Sequence, residues 1–268
     1  MPEGHTLHRL ARDLTSAFAG ERLAASSPQG RFAESAALID GRLCDGAEAY
    51  GKHLFIGFEG HQIVHIHLGL YGKLALLPTP AAEPFGQVRL RLVGSKIYAD
   101  LRGATTCELV TPAKVQSVIE RLGPDPLRPG ADGGRAWARI RRSPTSIAAL
   151  LMNQEVLAGV GNVYRAELLY RHRVPPYLPG RELTEEQWQA MWDDLVRLMH
   201  AGVEVNRIDT VLPEHTPEAM GRPPRVDDHG GEVYVYRRTG QPCHVCGTPI
   251  ATAELQGRNL FWCPACQA

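Results

Sequence analysis

The spacing of apolar residues along the chain is helical at its start. Residues 4–19 repeat large apolar side chains three or four positions apart, at Leu7, Leu10, Leu14 and Phe18. This spacing places the four side chains on one side of a helix. Gly20 follows directly and is a typical helix terminator. We therefore predict a helix over residues 4–19 that buries one side.

After this helix the pattern changes to short segments in which apolar and polar residues alternate. Glycine and proline separate these segments, which are residues 53–58, 62–68, 88–93 and 96–100. Alternation with a period of two is typical of antiparallel strands that bury one face. The first part of the chain is therefore predicted to form a β-sandwich or a flattened barrel.

From about residue 112 the strand pattern ends and helical spacing takes over. Residues 119–130 are rich in proline and glycine and form a candidate linker. Four helices are predicted after it, over residues 132–141, 145–155, 162–172 and 184–201. The last of them begins with Thr184 and Gln187, which are spaced as in a capping box.

The chain ends with a polar stretch and a cysteine-rich module, and the predicted fold class is α+β. Residues 205–232 are rich in proline, glycine and charges of both signs, and a loop of this length is either functional or disordered. We interpret it as mobile. The predicted domains are a β-sandwich with an N-terminal helix over 1–118, a helical domain over 131–232 and the cysteine module over 233–268.

Composition places the chain among ordinary globular proteins. Of its 268 residues 44% are hydrophobic and 22% are charged, which matches the usual mixture. There is no apolar run of the roughly 18 residues that a membrane-spanning helix needs. The first ten residues also lack the apolar core of a signal peptide. We therefore expect a cytoplasmic protein without a membrane partner.

The net charge of zero weakens the case for a nucleic-acid-binding protein, since such proteins are often basic. Local clusters of arginine could still bind phosphates, although each could equally be a solvated helix face. The clusters are Arg135, Arg139, Arg141 and Arg142, then Arg165, Arg171 and Arg173, then Arg237 and Arg238.

Four of the six cysteines form the most specific pattern in the chain. Cys243 and Cys246 form one CxxC pair, and Cys263 and Cys266 form a second pair after sixteen intervening residues. Such pairs bind one zinc ion through four thiolates, which leaves no open position and indicates a structural ion. Two redox-active pairs are the alternative, which this spacing disfavours. The other two cysteines, Cys44 and Cys107, stand alone in the sequence and are expected to be buried.

Between the pairs, residues 250–255 and 260–262 are predicted to be two strands of a β-hairpin, with a turn at Gly257 to Asn259. Gly247 follows the first pair, where a tight turn is needed. His244 is expected to be exposed rather than a fifth ligand. Arg258, at the predicted tip, could bind a phosphate or be solvated.

A glycine-containing turn precedes the third predicted helix. Residues 157–161 (LAGVG) form a double turn, in which glycines allow positive φ, and Asn162 follows at a predicted N-cap. Free N–H groups at a helix start bind anions. A helical hairpin of this kind can hold a DNA phosphate. An ordinary hairpin with an asparagine cap is the alternative.

Five sequence blocks together resemble the formamidopyrimidine-DNA glycosylase and endonuclease VIII family of bacterial DNA glycosylases. The blocks are Pro2-Glu3-Gly4, Gly51-Lys52-His53-Leu54, His67-Leu68-Gly69-Leu70-Tyr71-Gly72, LAGVGNVYRAE, and GQPCHVCGTPI with GRNLFWCPACQ. Their order and spacing cover nearly the whole chain. The resemblance implies a β-sandwich domain, a helix–two-turn–helix domain and a zinc finger.

The resemblance also implies a catalytic N-terminus. After removal of Met1, Pro2 would carry a secondary amine that attacks C1′ of the damaged nucleotide and forms an iminium Schiff base. Since an α-amine has a pKa near 8, part of it is unprotonated at neutral pH. Glu3 would act as acid and base, and Lys52 would contact phosphate and support elimination. Arg258 would serve both catalysis and DNA binding.

Further residues would hold DNA. Asn162 and Arg258 would bind phosphates beside the lesion, and His67 matches another phosphate-contacting position. Leu70 and Tyr71 resemble the wedge of the endonuclease VIII branch, which fills the gap left by a flipped base. The short Asp100-Leu101-Arg102-Gly103 segment lacks the Phe expected in the other branch.

The chain departs from the family pattern at two places. His5 and Thr6 replace a usual Pro-Glu, so a second carboxylate is absent. Either Glu3 suffices for catalysis, or the substrate range or the rate differs. Gly69 stands where the endonuclease VIII branch often has a larger polar residue. A weaker wedge would favour lesions in unpaired or single-stranded DNA.

The implied function is a bifunctional DNA glycosylase and AP lyase of base excision repair. It would excise oxidised bases, above all pyrimidines, cleave the strand by β,δ-elimination and carry one structural zinc ion. The expected partner is damaged DNA, duplex, bubble or single-stranded, bound by a monomer in the bacterial cytoplasm or nucleoid. A non-catalytic damaged-DNA-binding protein on the same scaffold is the main alternative. A zinc-ribbon interaction module would leave the N-terminal blocks unexplained.

Overall fold

A computed structural model describes residues 2–226 and 231–268. The chain divides into two compact units, Met1–Arg121 and Leu122–Ala268. No helix in the described ranges is long and apolar enough to cross a membrane.

Residues 2–121, the described part of the first unit, contain three helices and eight strands. The helices are α1 (Gly4–Phe18), α2 (Ala33–Ile39) and α3 (Pro112–Glu120). The strands are β1 (Ala24–Ser26), β2 (Cys44–Tyr50), β3 (His53–Phe58), β4 (Gln62–His67), β5 (Lys73–Pro78), β6 (Val88–Val93), β7 (Ile97–Arg102) and β8 (Thr106–Val110).

The strands form two antiparallel sheets, which confirms the predicted sandwich. One has the order β2-β3-β4-β8 and the other the order β1-β6-β7-β5. Alternate residues of both sheets, such as Leu54 and Ile66 in one and Leu92 and Leu101 in the other, share a core with the apolar side of α1. This burial of one face explains the alternation seen in the sequence.

The predicted α1 and strands 53–58, 62–68 and 88–93 agree with the structure to within about one residue. The predicted strand 96–100 runs on to Arg102. Strand β2 was not predicted, because Tyr50 is the only residue of its sequence CDGAEAY that belongs to the branched and aromatic types that favour strands. Its partner strand β3 and helix α1 hold it in place.

The second unit begins inside the predicted linker. Helix α3 ends the first unit, and Leu122 to Leu127 are buried rather than exposed. The helices that follow are α4 (Gly133–Ile140), α5 (Ile147–Met152), α6 (Asn162–Arg171), α7 (Glu185–Val205) and α8 (Pro217–Met220). The capping box at the start of α7 is confirmed by reciprocal hydrogen bonds between Thr184 and Gln187, at 3.0 and 3.2 Å.

The stretch interpreted as a mobile loop has local structure where it is described. It contains a 3₁₀ turn at Pro213–His215 and the short helix α8. Glu232 accepts hydrogen bonds from Arg222 and from the backbone N–H of Arg225. Residues 227–230 of this stretch lie outside the described residues.

Candidate active site and nucleic-acid interface

The start of helix α1 holds the N-terminal candidates. Glu3 is the N-cap residue and its side chain is fully buried. Its carbonyl oxygen accepts a hydrogen bond from the backbone N–H of Thr6 at 2.9 Å. Pro2 is half-buried directly before it, while Met1 lies outside the described residues. A buried carboxylate is therefore held one residue from the candidate nucleophile.

His5 is buried at the same helix start, and burial lowers its pKa to about 4. Its Nε2 lies 3.3 Å from the Thr6 hydroxyl oxygen. The ring is therefore neutral at physiological pH. His5 and Thr6 bring no second carboxylate to this end of the helix, as the sequence indicated.

Lys52 lies in a two-residue turn between strands β2 and β3. Gly51 has φ +57°, a conformation that glycine adopts without strain and that begins type II′ hairpin turns. Tyr50 and His53 are paired across the turn. The turn fixes the backbone of Lys52 at the end of the sheet, and its side chain is half-buried.

Strand β4 ends at His67, beside the same turn, because His67 is paired with His53. His67 is half-buried, and burial, followed by the charges of Lys52 and His65, lowers its pKa. The neutral ring can hydrogen-bond but contributes little positive charge.

The segment after His67 exposes the two predicted wedge residues. Tyr71 is 88% exposed and Leu70 is 40% exposed, which is unusual for large apolar side chains. Gly69 has φ +68°, and a Cβ there would lie 1.9 Å from the Thr105 hydroxyl oxygen. The absence of a side chain at Gly69 therefore has a local steric cause.

The Asp100 to Gly103 segment belongs mainly to strand β7. The Asp100 carboxylate is buried and accepts two hydrogen bonds from Arg91, at 2.7 and 2.8 Å, and a third from Arg102 at 2.8 Å. Arg102 also donates to the carbonyl oxygen of Phe85 at 3.0 Å. The charged groups of Arg91, Asp100 and Arg102 therefore interact with one another within the first unit.

The four predicted zinc ligands meet in the second unit. All four Sγ atoms lie within 4.8 Å of one another, with separations of 3.9 Å between Cys243 and Cys266 and 3.4 Å between Cys246 and Cys263. A tetrahedral zinc ion with Zn–S bonds of about 2.3 Å needs sulfur atoms about 3.8 Å apart. The cysteines therefore fit one structural zinc ion, which would tie the two CxxC turns together.

Side chains of the helical region surround this cluster. The Tyr170 hydroxyl lies 3.0 Å from Cys243 Sγ, and the interaction with Cys266 raises the pKa of the Arg173 guanidinium. Such contacts stabilise thiolate ligands. Gly247 has φ +75°, as expected for the tight turn. His244 is half-buried, not exposed as predicted; burial and then Arg238 lower its pKa to about 4.

The zinc hairpin has strands β9 (Ala251–Leu255) and β10 (Arg258–Trp262). The predicted turn was displaced by about two residues: Gln256 and Gly257 form it, with φ +51° and +70°, as in type I′ turns. Arg258 is consequently the first residue of β10, opposite Leu255, and is half-buried. It lies beside the tip rather than at it.

Asn162 was predicted to be the N-cap of helix α6. In the structure it is the first residue of the helix, and Gly161 is the N-cap. Its Nδ2 donates to the carbonyl oxygen of Asn259 at 2.9 Å. Buried Arg165 donates to the Asn162 side chain and, at 3.1 Å, to the same carbonyl. The start of α6 is thereby joined to the zinc hairpin beside Arg258.

The double turn before α6 depends on one glycine in the left-handed region. Gly159 has φ +89°, whereas Gly161 is extended. The Gln154 side chain accepts from the N–H of Gly159 at 3.1 Å and donates to the carbonyl of Val160 at 3.0 Å. The structure thus confirms a helix–two-turn–helix between α5 and α6.

Some of the arginines in the predicted phosphate-binding clusters form contacts inside the second unit. Arg171 forms an ion pair with Asp194, with a shortest N–O distance of 2.6 Å, and Arg238 donates to backbone carbonyls of Tyr234 and Pro242. Only the first cluster is exposed throughout, at Arg135, Arg139, Arg141 and Arg142.

Sequence reasoning missed two buried polar centres. Glu167 is fully buried and accepts from the backbone N–H groups of Tyr234, Val235 and Tyr236, at 2.7 to 2.9 Å. In the first unit, His53, His65 and Glu108 form a hydrogen-bonded chain. For the hydrogen-bonded chain of His53, His65 and Glu108, the available signal was the presence of polar residues at alternate positions of neighbouring strands. The sequence did not indicate which of these residues pair with one another.

Comparison with protein-family models matches three parts of the chain. Residues 1–107 match the formamidopyrimidine-DNA glycosylase N-terminal domain, and residues 122–212 match the H2TH domain of the same glycosylase. Residues 240–268 match the zinc finger found in FPG and IleRS. The match to the zinc-finger model supports the assignment of the cysteine cluster.

Full-length relatives agree with these matches. The chain is 52% identical to Endonuclease 8 1 of Mycobacterium tuberculosis, covering 100% of both proteins. It is 30% identical to formamidopyrimidine-DNA glycosylase of Gloeobacter violaceus, covering 100% of this chain and 98% of the relative. A structure of MutM in complex with DNA containing carbocyclic 8-oxo-G has the same fold, with a TM-score of 0.80, 21% identity and 99% coverage of both chains.

Proposed function

Because this chain belongs to the formamidopyrimidine-DNA glycosylase and endonuclease VIII family, we propose that it excises damaged bases through an N-terminal proline. Members of the family are DNA N-glycosylases with AP lyase activity. The chain is accordingly a DNA glycosylase and AP lyase of base excision repair. The observation that carries the proposed mechanism is Pro2 directly before the fully buried Glu3 at the start of α1.

The reaction would begin when Met1 is removed and Pro2 becomes the N-terminus. The nitrogen of Pro2 forms a bond to C1′ of the damaged nucleotide, and the bond between C1′ and the base breaks, with a proton delivered to the departing side. Opening of the sugar yields a cationic iminium. Glu3 is the buried carboxylate that directly follows Pro2 in the sequence, and it would transfer the protons in these steps.

The iminium would then drive strand cleavage. Its positive charge acidifies the hydrogen on C2′, so loss of this proton expels the 3′ phosphate by β-elimination. A second elimination expels the 5′ phosphate. Lys52, fixed by the Gly51 turn, would neutralise phosphate charge during these steps, and His67 would offer a neutral hydrogen-bonding group next to it.

The second unit would hold the DNA backbone. Arg258 and Asn162 would each contact a phosphate near the lesion, since charged and amide donors position DNA without reading its sequence. The hydrogen bonds from Asn162 and Arg165 to Asn259 keep these two candidates on one surface. Zinc would contribute only by holding the hairpin in shape.

The substrate we propose is an oxidised pyrimidine in damaged DNA, in duplex, bubble or single-stranded form. The exposed Leu70 and Tyr71 would fill the gap left by the flipped base. The 52% identity to Endonuclease 8 1 supports the endonuclease VIII branch. We further propose that the protein acts as a monomer in the bacterial cytoplasm or nucleoid.

Borohydride trapping on abasic-site DNA tests the nucleophile. We expect the processed protein to form a covalent complex, Pro2→Gly to keep part of this activity through its primary amine, and a form that retains Met1 to lose it. Mass spectrometry of the N-terminus and of the trapped peptide is the readout. Undiminished trapping with Met1 in place would assign the Schiff base to a lysine. Tight DNA binding without trapping in processed protein would indicate a non-catalytic binder.

A further inference from the structure

Three histidines and a glutamate lie on one face of the β2-β3-β4-β8 sheet. His53 is directly opposite His67, and Glu108 of β8 is directly opposite His65 of β4. Since directly paired residues share a face of a sheet, these side chains lie together. The alternate residues of β3 and β4, including Leu54 and Ile66, face the hydrophobic core. The histidine face is therefore separate from the core of the sandwich.

The polar atoms of these side chains form a continuous chain. His53 Nδ1 lies 2.9 Å from His65 Nε2, and His65 Nδ1 lies 2.9 Å from Glu108 Oε1. His65 is only 5% exposed, whereas Glu108 has an exposed fraction of 47% in its side chain. The rings of His53 and His67 are also adjacent, with centroids 5.1 Å apart. The chain thus links the solvent at Glu108 to the site beside Lys52.

The hydrogen-bonded chain of His53, His65 and Glu108 has one free end, at His53 Nε2. Within residues 2–226 and 231–268, no hydrogen bond engages His53 Nε2. An ionised carboxylate only accepts hydrogen bonds, so His65 Nδ1 carries a hydrogen. If His65 is neutral, its Nε2 accepts from His53 Nδ1–H, and His53 Nε2 then presents a lone pair. In that state the free end repels a phosphate oxygen.

We propose that His53 is a further DNA-phosphate contact, and that His65 and Glu108 position it by taking up one proton when DNA binds. A proton from solvent binds His53 Nε2, and the proton on His53 Nδ1 moves to His65 Nε2. His53 is again neutral but now donates its Nε2–H to a phosphate oxygen. The positive charge resides on His65, where Glu108 stabilises it. One proton is gained and none is released.

The surroundings favour this distribution of charge. Burial lowers the pKa of His53 to about 3, followed by the effects of His65, His67, Arg121 and Lys52, so His53 itself does not hold the charge. His65, by contrast, has the carboxylate of Glu108 as its direct partner. The other charged groups near this face are exposed Glu48 of β2, opposite Phe55, and Lys114 and Glu120 of α3, which packs against β4.

Binding of DNA that contains a tetrahydrofuran abasic analogue tests the proposal without a reaction. Fluorescence anisotropy is measured between about pH 6 and pH 8.5 at constant ionic strength, since phosphate contacts depend on salt. For the wild type we expect tighter binding as the pH falls, with about one linked proton. Glu108→Gln should weaken binding at pH 6 by about tenfold, as for loss of a charge-assisted hydrogen bond. At pH 8.5 the two proteins should bind alike.

Asp45→Asn is the control, because it removes one negative charge from an exposed position of strand β2, at the end of that strand far from the histidines. It should retain the wild-type pH dependence. Spectra of ¹⁵N-labelled histidine provide a direct readout: with DNA at pH 6.5, one histidine should become an imidazolium in the wild type and His53→Asn should abolish this change. The relay would be overturned if Glu108→Gln kept the pH dependence of the wild type, or if Asp45→Asn lost as much binding at pH 6 as Glu108→Gln.

The inference rests on the proposed function, and the two fail differently. A wild-type protein that binds the analogue and is trapped by borohydride, but shows no histidine protonation on binding, contradicts the relay alone. A processed wild-type protein that neither binds nor is trapped contradicts the proposed function and the phosphate contact together.

Discussion

At the scale of single residues, the proposed wedge shows how one backbone conformation determines which side chains are exposed. Gly69 is in the left-handed region and any side chain would collide with Thr105. The bend there leaves Tyr71 almost fully exposed and Leu70 partly exposed. The departure at Gly69 therefore reflects the packing of this loop, and in the proposed mechanism gap filling would depend on the two residues that follow.

We expect Leu70→Ala and Tyr71→Ala to reduce excision from duplex DNA more than from single-stranded DNA. Unstacking a base costs a few kcal/mol and costs least when the base is unpaired, and a wedge formed by Leu70 and Tyr71 would offset part of that cost. Rates on matched duplex, bubble and single-stranded oligonucleotides with thymine glycol or 5-hydroxyuracil measure the effect. Leu77→Ala, at a partly exposed leucine in β5, is the control. Equal losses on all three substrates would contradict a wedge role.

Efficient excision of 8-oxoguanine opposite cytosine, with oxidised pyrimidines left intact, would contradict the proposed lesion preference. This outcome is independent of the wedge variants, since the wedge affects base extrusion and the lesion pocket affects base choice.

His5 should make the stability of the protein depend on pH. Its pKa of about 4 in the folded state lies below the value of 6.5 for an ordinary histidine, so the unfolded state binds more protons below pH 6.5. The contribution is fully present above pH 6.5 and decreases as the pH falls toward 4, by about 1.4 kcal/mol per pH unit and about 3 kcal/mol in total.

In His5→Gln this loss should disappear, so its free energy of unfolding should fall less between pH 7 and pH 4.5 than that of the wild type. Urea unfolding of both proteins at several pH values measures the difference. Comparing the two proteins cancels the effect of acid on zinc binding. Parallel pH curves would mean that His5 is not buried in its neutral form.

At the scale of elements, Glu167 in α6 organises the segment that leads to the zinc finger. Its carboxylate accepts three backbone hydrogen bonds from residues 234–236 and one from the Thr210 hydroxyl at 2.5 Å. These contacts replace the strand partners that residues 234–236 lack within the described ranges. A helix residue thereby determines the conformation of a loop that is distant in sequence.

Glu167→Gln should destabilise the second unit by about 2–4 kcal/mol, because an amide nitrogen would face backbone donors in a buried site. Thermal and urea unfolding measure this effect. The control is Glu254→Gln, which changes an exposed glutamate in strand β9 and should leave stability nearly unchanged. Zinc content should remain the same in both variants. A stability equal to the wild type would show that these hydrogen bonds contribute little.

At the scale of the whole molecule, the zinc ligands belong to the core of the second unit. Cys243, Cys263 and Cys266 are buried in the same hydrophobic cluster as helices α5, α6 and α7. Loss of zinc should therefore affect the helical region as well as the hairpin, which is a wider effect than the sequence suggested. The first unit has a separate core.

Cys263→Ser should remove the bound zinc, abolish DNA binding and lower the stability of the second unit by several kcal/mol, because metal binding and folding are coupled in such sites. Metal analysis should find about one zinc ion per wild-type chain. Cys107→Ser, in strand β8, is the control and should keep its zinc. Active wild-type protein without zinc would refute the metal site.

The sequence alone determined those features that depend on local periodicity or on ligand spacing. Alternation with a period of two predicted the sandwich strands, helical spacing predicted α1 and α7, and the two CxxC pairs predicted the zinc site. These signals are local, because each is carried by neighbours along the chain. The resemblance of the N-terminal and later motifs then identified the family, which the comparisons confirmed.

Which distant polar residues meet depends on the tertiary structure. Strand β2 and the buried segment at residues 122–127 are held by contacts that local propensity does not encode. Asn162 turns toward the zinc hairpin because Arg165 and Asn259 provide its partners. The chain from His53 to Glu108 likewise requires the register of three strands. Strand register and hairpin contacts join residues far apart in sequence, and their energies depend on neighbours that no local pattern specifies.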